Sequence, residues 1–278
     1  MRNRYKQLAL LLIGILAVFV GRAALAGVIW MPRTFEIVDT LTVVGSMILV
    51  AQDPARLRRS DWLVAPALGA VVGGGMSTAS LFSPYPFLGL VEGHGAQAVL
   101  RGVFSAIALL GGLAVQRRMG PVRLVGADGE GRAMGRAIGI GFLVGLPLAV
   151  VNVIALGVTQ GRPIVWQSPV AALLDALQPA IVEEAVYRFA LWGLLWLSLK
   201  RSLPITAIAW AGGLATAIHA FAHVDDLMRQ APLIALGLGT ALAVVWGALP
   251  AWLARRSGLE SAIAFHWVQD AARFLAGY

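Results

Sequence analysis

Seven side chains in the C-terminal half of this sequence could do acid–base chemistry together: Glu183, Glu184, Arg188, His219, His223, His266 and Asp270. The glutamates and the arginine lie in "IVEEAVYRFALWGLL", residues 181–195, an otherwise apolar run. On a helix Glu184 and Arg188 are four residues apart, share a face and can form an ion pair. Glu183 points about 100° away and is free for other work. His219 with His223, and His266 with Asp270, repeat the one-turn spacing on two further segments. Interhelical hydrogen-bonding would explain one such pair, but it does not require a second glutamate and three histidines. A carboxylate, imidazoles and a wet cavity are the parts that activate water and stabilise an oxyanion. Carboxylate and imidazole also bind zinc. The spacing His-Glu-x-x-His is absent, so any metal site would be assembled from different helices.

The elements that must position these groups are membrane helices. Of the 278 residues, 59% are hydrophobic and only 13% charged, and the mean hydropathy is +0.78. Soluble domains average about 25% charged residues, so the fold class is all-α, a polytopic transmembrane bundle. In a bilayer each intramembrane charge costs about 2.5–3.5 kcal/mol, and so must be compensated by partners. Apolar segments at 7–30, 34–51, 62–82, 97–116, 137–158, 169–199, 203–223, 231–253 and 259–277 give eight or nine spans. Fifteen of the 22 Lys and Arg, from Arg2, Arg4 and Lys6 to Arg255 and Arg256, fall on one side of that map. Arg273 falls on the other, and Arg22 lies within a span. This is the positive-inside pattern of an integral protein with a cytoplasmic N-terminus, expected in a bacterial inner membrane. The basic pI therefore reports topology, and no nucleic-acid partner is needed to explain it; membrane lipid is the surface implied. With no cysteine, disulfides, thiolate catalysis and Cys-ligated zinc are excluded.

Local signals refine the map. Ala24-Leu25-Ala26 resembles a signal-peptidase site, but Arg22 just before it argues for an uncleaved anchor. The last span carries Glu260, His266, Gln269, Asp270 and Arg273, so other helices should enclose it. Residues 117–136, rich in Gly and Arg, read as a linker between two halves with some attraction for lipid headgroups. Its "GADGEG" lacks the strand and the Gly-Lys of a nucleotide loop. "GGGMSTAS" at 73–80 reads as close helix packing. Pro179 leaves the carbonyl of Asp175 without its helical donor, so a kink or water-lined opening is expected beside the glutamates. Asp225 and Asp226 read as a solvated turn.

"EEAVYR" at 183–188, "HAFAH" at 219–223 and "HWVQD" at 266–270 occur in order, on three helices. Together they resemble the signature of the CPBP intramembrane proteases, which include the type II CAAX prenyl endopeptidases and bacteriocin-processing or self-immunity proteins. The resemblance covers about residues 168–275. It implies a catalytic transmembrane domain over 166–278, with variable spans over 1–165. Glu183 would be the general base, and Glu184 with Arg188 would orient the site. His219 or His223, together with His266, would stabilise the oxyanion or hold a metal. Asp270 would hold the tautomer of His266 or stay protonated. Zinc remains open, with Glu183, His223 and His266 as candidate ligands. The pattern around "AFAHV" favours His223 over His219. Depth favours His219: at 1.5 Å per residue Glu183 lies about 25 Å from Lys200, His219 about 27 Å from Arg201 and His223 about 33 Å. The implied activity is endopeptidase cleavage of a membrane-associated or lipidated peptide. The alternatives are a transporter or proton relay built on the same buried groups, and a bacteriocin self-immunity protein acting by binding.

Overall fold

The computed structural model describes residues 5–82 and 87–278, and among them every regular element is helical. Arg2 and Arg4, two of the basic residues assigned to the cytoplasmic side, lie outside that range. The first half contains α1 (Lys6–Leu25), α2 (Thr34–Gln52), α3 (Asp61–Ser77), α4 (His94–Gln116) and α5 (Gly131–Gln160). The second half begins with a broken run: α6 (Pro169–Asp175), α7 (Leu177–Glu183), a π-helical segment (Glu184–Leu191) and α8 (Trp192–Leu199). Next come α9 (Ala207–Ala222), α10 (Asp225–Gln230) and α11 (Pro232–Leu242). A π-helical segment (Ala243–Gly247), α12 (Ala248–Ser257) and α13 (Leu259–Leu275) complete the chain.

Among the described residues, five helices are long and apolar enough to cross a membrane: Lys6–Leu25, Thr34–Gln52, His94–Gln116, Gly131–Gln160 and Pro232–Ser257. A helix satisfies its backbone groups internally, which is what a bilayer demands of a spanning segment. The side chains exposed on α5 and α11 include Leu143, Val150, Ile154, Leu233 and Ile234, a surface suited to lipid and not to water. These features describe an integral membrane protein.

Small residues bring the helices together. A Cβ on Gly69 of α3 would lie 2.5 Å from the carbonyl oxygen of Gly102 in α4, so only glycine permits that approach. In α5, a Cβ on Gly141 would collide with the Ser261 carbonyl of α13. Packing through small residues is the usual device where no hydrophobic effect separates helix from lipid. α13 is enclosed as its polarity requires: Gln269 donates to the Gly145 carbonyl at 2.8 Å, and Glu260 accepts from the Gly126 N–H at 2.7 Å. One hydrophobic core runs from Leu49, Ala108 and Leu113 in the first half to Ala185, Phe189 and Ala262 in the second.

Two loop expectations are corrected. The segment 117–136 is a folded corner instead of a linker. Asp128 there accepts hydrogen bonds from Gln116, Arg58, Arg117 and Arg123, while Val122 and Leu124 are buried. One carboxylate drawing in three guanidiniums fixes the chain path. Asp225 is likewise not in a solvated turn. It is buried at the start of α10, accepts from the Thr34 N–H at 2.8 Å and faces Arg22 at 3.5 Å. Only Asp226 is exposed, and it too pairs with Arg22, at 2.8 Å. The buried Arg22 side chain needed a counter-charge, and α10 supplies it.

Candidate active site

The broken run places the glutamates. Ser168 caps α6, with Pro169 at its first position, where a missing N–H costs nothing. The helix stops at Ala176, three residues before Pro179, close to where the unpaired Asp175 carbonyl predicts a kink. The Asp175 side chain turns outward to accept from the N–H groups of Ser80 and Leu81 at 2.8 and 2.6 Å. α7 then delivers Glu183 at its last position, and the π-segment opens with Glu184. Nothing in the residue pattern announces that wider turn, although π-segments concentrate at functional sites.

All seven sequence-derived residues line one cavity of about 400 Å³. Glu183 Oε2 is 2.6 Å from His219 Nε2 and 3.7 Å from His266 Nε2. Glu184 Oε1 is 2.9 Å from His266 Nδ1, and its Oε2 faces Arg188 Nε at 3.6 Å. Arg188 also reaches across to Nδ1 of His219. His266 Nε2 stands 3.4 Å from Asp270 Oδ2, and Asp270 Oδ1 accepts from Arg273 at 2.9 Å. His223 lies one turn beyond His219, with ring centroids 5.0 Å apart, and is exposed to the cavity. Glu184 and Arg188 are almost wholly buried, and Glu183 is partly open.

This geometry dictates tautomers. A guanidinium has no acceptor, so Arg188 must donate to Nδ1 of His219. The Nε2 of His219 then carries the proton and donates it to the Glu183 carboxylate. Glu184, ionised beside Arg188, in turn fixes the N–H of His266 on Nδ1. Nε2 of His266 is left facing Glu183 and Asp270 at spans that one water bridges.

Several expectations change in detail. It is Glu184, not Asp270, that holds Nδ1 of His266. Arg273, assigned to the opposite side of the membrane by charge alone, lines the cavity and secures Asp270. Among the described residues, Glu183, His219 and His223 are close enough to share an ion, their ligand atoms lying within 4.8 Å of one another. His219 joins the sequence candidates Glu183 and His223 in that cluster, while Nε2 of the third candidate, His266, stands 3.7 Å from Glu183.

Some site residues were not evident from sequence. Tyr187 packs on the His219 ring at 4.4 Å, and Phe35 of α2 meets the His223 ring at 4.7 Å. Asn152 of α5 and Gln269 of α13 also line the cavity, as do Leu238, Leu242 and Trp246. Tyr187 and Gln269 sit inside the motifs themselves, so their spacing was a usable signal. For Phe35 and Asn152 there was none, since their proximity depends on tertiary packing.

Residues 165–272 match a family model described as "Type II CAAX prenyl endopeptidase Rce1-like". The matched stretch holds every one of the seven residues, and it ends within α13, past Asp270. It is a domain of that family. The Rce1-like domain makes the protein a peptidase, and an intramembrane protease is what the family implies, with a peptide as substrate. Residues 1–164 fall outside the match. No curated protein and no solved structure matches the chain.

Proposed function

We propose that the protein is an intramembrane endopeptidase that hydrolyses a peptide bond of a membrane-associated or lipidated peptide with water activated by Glu183. The observation that carries this reading is the convergence of Glu183, His219 and His266 in one cavity. The bundle crosses the inner membrane of a bacterium eight or nine times with its N-terminus in the cytoplasm. The C-terminal unit, 166–278, holds the chemistry, and the spans of 1–165 support it.

The His219 N–H holds one oxygen of Glu183, and the carboxylate takes a proton from water lying between it, His266 and Asp270. The water oxygen attacks the scissile carbonyl carbon. An N–H of His223, on the cavity wall, meets the oxyanion that forms. The carbon–nitrogen bond then breaks, and the proton held on Glu183 passes to the leaving amine. Glu184 and Arg188 stay paired throughout and fix the two imidazoles, while Arg273 neutralises Asp270. Glu183, His219 and His223 have the donor types of a zinc site, but Nε2 of His219 could ligate only with its proton moved to Nδ1 and Arg188 turned away from that nitrogen. A resident ion would be held by these three residues and would polarise the carbonyl or its attacking water.

The contiguous chain Arg188–His219–Glu183–His266–Asp270 also suits a proton relay, so the test must separate the two. His219→Ala and His223→Ala are reconstituted separately and assayed for cleavage of a panel of membrane peptides and for proton flux in vesicles. The protease reading expects His219→Ala to lose about 10²–10⁴-fold in cleavage, and His223→Ala to be slowed less and to keep measurable cleavage, because His219 still holds the Glu183 base. Proton flux in wild type that His219→Ala abolishes, with no peptide cleaved, overturns it in favour of transport.

A further inference from the structure

The basic end of the bundle is not uniform. Arg56 pairs with Asp53 at 2.8 Å, Arg58 with Asp128 at 3.2 Å, and Arg118 with Asp53 at 3.3 Å. Arg117 is shared by Asp61 and Asp128. Arg123 pairs with Asp128 and Glu130 at 2.8 and 2.7 Å, which raises its pKa above the usual guanidinium value. Arg136, Arg255 and Arg256 are different. Each is exposed, and among the described residues none has a carboxylate partner.

These three line one hollow of about 350 Å³ together with Arg123. It lies between the α4–α5 corner, the first turns of α5 and the end of α12. Four guanidiniums face Glu130 as the single acid in the lining, a net charge of +3 by type. Like charges gathered round a concavity raise the potential inside it and favour an anion there. On α5, apolar residues continue the face that carries Arg136. Ala133, Ala137 and Ile140 follow one face of α5 toward its lipid-exposed stretch at Leu143. A basic mouth above an apolar wall that continues into the membrane fits an amphiphile better than a free ion. Basic pockets between membrane helices hold anionic headgroups in this way.

We propose that this hollow is a binding site for the phosphodiester headgroup of an anionic phospholipid in the leaflet at the basic end. The guanidiniums of Arg136, Arg255 and Arg256 take the phosphate oxygens, and the α5 wall takes the start of an acyl chain. The site also touches the catalytic unit. Gly258 forms part of its lining and precedes α13, while the Leu259 N–H donates to the Arg123 carbonyl at 2.7 Å. An occupied site therefore braces the start of the helix that carries His266. The proposal stands without the protease reading, because its test reads binding and not cleavage.

The test uses the full chain purified in a neutral detergent and titrated with short-chain phosphatidylglycerol, phosphatidylcholine or inorganic phosphate. Bound lipid is counted by native mass spectrometry, and thermal unfolding gives a second readout. Wild type should bind phosphatidylglycerol well above phosphatidylcholine, and inorganic phosphate should not compete at equal concentration. R136Q/R255Q/R256Q should weaken phosphatidylglycerol binding roughly 100-fold, at about fivefold per cation. R59Q/R132Q/R201Q, which removes equal charge elsewhere at the same end, should leave it within about twofold. Should the pocket triple variant not accumulate, R255Q alone should weaken binding roughly fivefold. Equal losses in both triple variants, or R255Q binding like wild type, would overturn the site in favour of diffuse surface charge. Phosphate competing as well as the lipid would overturn the lipid as its occupant.

Discussion

Arg188 holds Glu184 on its own helix segment and His219 on the next, and both are buried with it. Removing its side chain would leave a carboxylate without its counter-charge and an imidazole nitrogen without its donor. Arg188→Ala should therefore destabilise the protein by about 3–5 kcal/mol and lower accumulation in the membrane, measured as folded protein after mild solubilisation. Arg188→Lys supplies a charge but not the forked geometry, so it should accumulate better than Arg188→Ala while restoring little activity. At this scale much of the site was legible. Seven residues of types that are costly in a bilayer, at one-turn spacings, pointed to one polar cluster. Which oxygen meets which nitrogen was not legible, because it depends on helix rotation. The competing arguments over His219 and His223 show the limit: flanking residues favoured one and depth the other. The structure places His219 against Glu183 and His223 one turn outward, and both remain within reach of the cavity.

Individual helices were legible from composition. Each of the nine apolar segments coincides with a helix or a broken helical run. Pro179 signalled the break at Ala176 because a missing donor is a local property. The π-segment from Glu184 to Leu191 was hidden, since its wider turn depends on what packs around it. Helix pairing is a further property of the elements, and α13 is held in place by its contact with α5. A methyl group at Gly141 must push the backbone at Ser261 away, shifting the helix that carries His266. Gly141→Ala should therefore cost about 1–3 kcal/mol in thermal unfolding measured in detergent and reduce cleavage. Gly139→Ala, on the same helix with open space at its Cβ, should change neither.

For the molecule as a whole, charge distribution set an expected orientation, whereas the folding of the basic end came only with the structure. Asp128 was hidden in a Gly-rich stretch that resembled a linker, and its three arginines come from sequence positions as distant as Arg58. Burial opposes ionisation of Asp128, but hydrogen bonds from Arg117 and Arg123 outweigh it and hold the carboxyl below its ordinary value of 3.8. Its contribution to stability is thus complete above that value and is lost as pH falls through the lower folded value. Asp128→Asn should lower stability at pH 7 by about 1–3 kcal/mol, and its thermal-unfolding gap to wild type should narrow below about pH 4. The same whole-chain view explains why residues 1–164, outside the family match, still reach the site through Phe35 and Asn152. The central claim, that Glu183 activates water in this cavity, is tested most directly by cleavage of a membrane peptide in liposomes by wild type and Glu183→Gln. The substitution keeps the shape and a hydrogen-bonding group but removes the base. The account predicts that Glu183→Gln inserts and unfolds like wild type yet releases at least about 100-fold less product. Cleavage by Glu183→Gln at the wild-type rate would contradict it.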